Sequence, residues 1–104
     1  NFNRHGQAFD VGETFSGIED FDQGLQAVNG IRALLPEGVT MAQFALRWIL
    51  MFDAVTCAIP GAKTPKQASD NATAATLPAL DDSAMREIEA LYQRYVREQV
   101  HFRW

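Results

Sequence analysis

Val55-Thr56-Cys57-Ala58-Ile59-Pro60-Gly61-Ala62-Lys63-Thr64-Pro65-Lys66-Gln67-Ala68-Ser69-Asp70-Asn71 is the stretch on which the fold turns. Its first five residues form a short apolar run, which reads as a buried parallel strand over 55–59. Pro60-Gly61 then turns the chain. Thr64 is a good N-cap, and Pro65 falls at the first helical position, where a missing N–H costs nothing. Gln67, three residues after Thr64, completes a capping-box pattern. A helix N-terminus just beyond a strand gathers oriented N–H groups and the positive end of a dipole, which favour an anion. Lys63 and Lys66 flank this start, and no acid appears before Asp70. The net charge of the chain is −4, so two of its nine basic residues standing here point to a held phosphate. The plainer reading is a capped helix with solvated lysines, in which Gly61 serves the turn alone.

The flanking sequence reads as further helices. Phe21, Leu25, Val28, Ile31 and Leu35 recur at helical spacing and predict a helix near 20–35, with Gly24 and Gly30 allowing close packing. Pro36-Glu37-Gly38 ends it. Thr40 and Gln43 form a second capping box, with Val39 and Phe44 placed as a hydrophobic staple, and predict a helix near 40–52. This helix is apolar on nearly every side apart from Arg47, as expected for a buried one. The third helix covers 64–75, and Thr76-Leu77-Pro78-Ala79-Leu80 is an extended linker. Asp81-Asp82-Ser83 then starts a last helix near 81–97. Residues 1–17, with Gly6, Gly12 and Gly17, read as a loop, and His101-Phe102-Arg103-Trp104 is a basic, aromatic tail.

Composition narrows the function. The acidic balance argues against general nucleic-acid binding, which needs a basic face. No apolar run approaches the roughly 20 residues of a membrane span, and no signal peptide is visible. The single Cys57 excludes a disulfide framework and suits a cytoplasmic setting; inside a strand it is expected to be buried. No pattern of metal ligands is present. One parallel-type strand among four helices leaves its backbone groups unpaired unless further strands flank it. The expected class is therefore α/β, mostly helical, cut from a larger barrel whose other strands complete the sheet.

Val55 to Asn71, an apolar run followed by I-P-G-A-K-T-P-x-Q-x-x-x-N, resembles the cofactor-binding end of the aldo-keto reductases. The helix from Thr40 to Leu50 resembles the one before the eighth strand of that family, and Asn1 to Gly17 the long loop after the seventh. The resemblance covers nearly the whole chain. It implies a (β/α)8 TIM barrel that binds NADP(H) and reduces a small-molecule carbonyl substrate by hydride transfer, with a Tyr general acid supported by Lys, Asp and usually His. Those catalytic residues belong to earlier strands, so the resemblance implies that residues 1–104 are the C-terminal part of the barrel and that the missing N-terminal barrel segments are its partners. Tyr92 and Tyr95 match nothing catalytic. The resemblance also implies that the backbone at Gly61 and Ala62 approaches the phosphate end of the cofactor. Lys63 would pair with the 2′-phosphate, Gln67 and Asn71 would contact the adenosine, and Asp70 would face the ribose or adenine edge. Relatives often carry Ser or Arg at the Lys63 position and Glu at the Asp70 position. Arg4 and His5 stand as candidates for reaching phosphate or substrate. A non-catalytic redox-sensing subunit on the same barrel, and a stand-alone helical binding module, are the competing functions.

Overall fold

A computed structural model of the chain describes residues 20–103, which are helical wherever they are regular and fall into two compact units. The expected loop over 1–17, with Asn1, Arg4 and His5, lies outside the described residues.

The first unit comprises residues up to Ala33 together with those from Arg86 onward. Helix α1 runs Phe21–Arg32, and Asp20 caps it by accepting the Gln23 N–H at 3.0 Å. Helix α4 spans Asp82–Tyr95; its first turn belongs to the second unit. The backbone breaks at Val96, then continues as the short α5, Arg97–Val100, and a 3-10 turn, His101–Arg103. The tail is therefore helical as far as Arg103. Gly30 of α1 faces Leu91 of α4 so closely that a Cβ there would lie 2.5 Å from a Leu91 methyl. The missing side chain permits that approach, as the sequence suggested. Gln99 joins α5 to the head of α1: its Oε1 accepts the Asp20 N–H, while its Nε2 donates to Gln23 Oε1 and to the Tyr95 carbonyl. Ala27 and Val100 are the buried apolar residues described in this unit.

The second unit runs from Leu34 to Met85. Its first feature is a turn closed by the Val39 N–H on the Pro36 carbonyl. Gly38 occupies its third position with φ 77°, the left-handed value that a type II turn requires there. Helix α2, Met41–Ile49, follows with a complete capping box: Thr40 Oγ1 accepts the Gln43 N–H, and Gln43 Oε1 accepts the Thr40 N–H. Gln43 Nε2 continues to the Asp70 carbonyl at 3.1 Å, which ties α2 to α3, Pro65–Thr73. Helix α3 tightens into a 3-10 turn, Ala74–Thr76, and both pack on α2 around Phe44 and Ala74, 4 % and 1 % exposed. Arg47 Nε donates to the Leu77 carbonyl at 2.9 Å and holds the extended linker against α2. Asp81 then caps α4 by accepting the Ala84 N–H at 2.7 Å.

Several sequence expectations need correction. Helix α1 stops at Arg32 rather than 35, and α2 at Ile49 rather than 52. No strand forms over 55–59, or anywhere among the described residues, so the α/β character is not expressed here. Ile59 is 94 % exposed. The reason is the one that made a lone strand suspect: a parallel strand exists only through hydrogen bonds to neighbours, and none of the described residues supplies one.

The double use of Gln43 yields a stability test. Gln43→Leu keeps most of the side-chain volume but removes a cap and strands the Asp70 carbonyl. It is expected to lose roughly 2–3 kcal/mol in a denaturant titration, against about 1 kcal/mol for Thr40→Ala.

Candidate functional site

The segment Ala58 to Asn71 lies wholly within the second unit. Val55 ends a turn by donating its N–H to the Phe52 carbonyl, and the chain then runs irregularly to Thr64. Residues 59–69 form one continuous exposed surface. Thr64 starts α3 as the sequence predicts: its backbone is extended, its Oγ1 accepts the Gln67 N–H at 3.1 Å, and Pro65 takes the first helical position.

Gln67 departs from the expected box. Its Oε1 accepts the N–H of Lys63 at 2.7 Å instead of that of Thr64, so its side chain reaches past the N-cap into the turn. Asn71, one turn further along α3, donates Nδ2 to the Gly61 carbonyl at 3.2 Å. The two amides thus grip the turn at Gly61 and at Lys63 from one helix. Lys66 Nζ pairs with Asp70 Oδ2 along α3, so the acid is already partnered by a cation on its own helix. The Asp70 main-chain carbonyl is held from the other side by Gln43.

Gly61 has no positive φ, and a Cβ built on it would meet nothing within 4 Å. Among the described residues, neither backbone conformation nor crowding calls for glycine there. The outside of the turn at Gly61 is open among the described residues. Beside the turn lies a cleft of about 470 Å³, lined by Leu46, Leu50, Cys57, Ala58, Asn71 and Ala72 among others. Cys57 is exposed, against the expectation of a buried thiol; no strand among the described residues lies beside 55–59 to cover it.

The structure therefore brings Gly61, Ala62, Lys63, Gln67, Asp70 and Asn71 to one turn and the first two turns of one helix. No three His, Cys, Asp or Glu side chains among the described residues converge as metal ligands. Tyr92 hydrogen-bonds through its hydroxyl to His101 Nδ1 at 2.9 Å in the other unit, a pairing that helical spacing alone did not signal.

The aldo/keto reductase family profile matches residues 3–93. The chain belongs to the aldo/keto reductase family. This is a family of oxidoreductases that generally use nicotinamide cofactors, and the match contains the whole of the turn and α3. No curated protein and no solved structure matches the chain.

If Gly61 is unconstrained by its own fold, Gly61→Leu should leave the unfolding free energy within about 0.5 kcal/mol of the parent, as for an ordinary surface change. A larger loss in a denaturant titration would mean that the turn itself demands glycine.

Proposed function

We propose that this aldo/keto reductase chain is the cofactor-gripping C-terminal portion of an NADP(H)-dependent enzyme that reduces aldehydes or ketones. The observation that carries the reading is the open turn at Gly61, held at the head of a capped helix inside a segment with the family's pattern. The nicotinamide cofactor, when bound, supplies the hydride. The chain's own residues bind and orient. Gly61 and Ala62 present bare backbone to the phosphate end. Lys63 offers a full positive charge to the 2′-phosphate, with the oriented N–H groups of α3 beside it. Gln67 and Asn71 each commit one amide atom to the turn and keep the other for the adenosine. The Lys66–Asp70 pair keeps the acid from facing a phosphate uncompensated.

The irregular run at 55–59 supports a chain that is completed by more of the barrel. It carries a 94 % exposed Ile59 and an exposed thiol, which flanking strands would cover. On this reading the Tyr general acid, its Lys, Asp and His supports and most of the carbonyl-binding loops stand on those upstream strands. A cytoplasmic enzyme fits the single unpaired cysteine.

Three outcomes are expected. In the full-length protein, Lys63→Glu weakens NADPH binding by roughly 1–3 kcal/mol and NADH binding by less, in a fluorescence titration. Equal losses for the two cofactors would remove Lys63 from the 2′-phosphate. Cys57 reacts quickly with a thiol reagent in the 104-residue chain and slowly within an intact barrel, where strands cover it. The 104-residue chain alone oxidises no NADPH in the presence of an aldehyde panel, and turnover at the rate of the full-length protein would place a complete active site within it.

A further inference from the structure

We infer that Gln67 and Asn71 are positioning residues that shape the Gly61–Lys63 turn, and that the selectivity for a 2′-phosphorylated nucleotide depends on them through Lys63. This inference rests on the NADP(H) reading above and assigns the two amides a role other than contact alone. Gln67 Oε1 accepts the Lys63 N–H at 2.7 Å, although the capping pattern would send it to Thr64. Asn71 Nδ2 reaches back ten residues to the Gly61 carbonyl at 3.2 Å. Both bonds end on main-chain atoms of the turn, and both start from α3. The helix is itself fixed, because Thr64 caps its start and Gln43 holds its Asp70 carbonyl from α2. The two amides therefore refer the position of the Lys63 backbone to a rigid element. Residues 59–69 are otherwise an exposed run, open to solvent along its length.

The chemistry of each bond separates positioning from contact. Lys63 needs only an acceptor at position 67. Glu supplies one at the same reach, whereas Ala does not. Gly61 needs a donor at position 71, which Asp and Ala both lack. A group acting only on the adenosine would leave the Lys63 amide indifferent to these changes.

The experiment uses the full-length protein and two readouts. The first is hydrogen exchange of the Lys63 amide with no nucleotide present. The second is the dissociation constants of NADPH and NADH by titration. Gln67→Ala is expected to speed exchange at Lys63 roughly fivefold to tenfold, the equivalent of one ordinary hydrogen bond, and Gln67→Glu to restore the parent rate. Gln67→Ala and Asn71→Ala are each expected to weaken NADPH more than NADH, because the loss passes through Lys63. Unchanged Lys63 exchange in Gln67→Ala, or equal losses for the two nucleotides, would overturn the positioning role. A parent protein that binds neither nucleotide would instead overturn the cofactor reading, and the exchange rates would still decide whether Gln67 holds the turn.

Discussion

A single buried amide governs the second unit. Gln43 is only 8 % exposed, so neither end of its side chain is left to water. Its carbonyl oxygen takes the Thr40 N–H at the start of α2, and its amino group gives to the Asp70 carbonyl on α3. One side chain therefore fixes a helix end and a helix pair together. An apolar residue at 43 would lose both functions at once and leave the part-buried Asp70 carbonyl without this donor. Arg47, one turn along α2, does similar work on the Leu77 carbonyl and sets where the linker leaves. Phe44 and Ala74 then fill the space that these bonds define.

The first unit uses the same device in another place. Gln99 accepts from the Asp20 N–H and donates to Gln23 and to the Tyr95 carbonyl, which fastens α5 to the first turn of α1. Gly30 and Leu91 add close packing between α1 and α4. In both units the described apolar core is thin, and no large side chain is fully buried among the described residues. Side-chain amides and a guanidinium that capture backbone groups carry much of the geometry. A site on a helix referred to a second helix keeps its shape better than one on a loop alone, and the Gly61–Lys63 turn is referred through α3 to α2.

The irregular run before the turn is the counterpart. Its apolar residues are of the type that a sheet buries, yet Ile59 and Cys57 stand exposed. The same run makes one wall of the cleft beside α2 and α3. A barrel strand between two neighbours would use its backbone groups and cover these side chains together. The features that make this segment unusual as a free surface are those expected of an element that is completed by other strands.

The sequence by itself determined the starts of the helices. Thr40 with Gln43, Thr64 with Pro65, and Asp81 each carry their partner within three residues, so local chain geometry suffices to form them. It also determined the family segment, because the Pro60-to-Asn71 pattern is contiguous. The helix ends were less legible, since apolar spacing continues past Arg32 and Ile49 although the backbone turns away there. Tertiary structure alone decided three things. Gln67 turned to Lys63 rather than Thr64, and Asn71 to Gly61, because each amide can reach several nearby backbone groups and local spacing does not choose among them. Gln43 found the Asp70 carbonyl, 27 residues away, through helix packing that no local pattern encodes. Residues 55–59 remained without a ladder, because a strand is defined by the backbone beside it and not by its own residues.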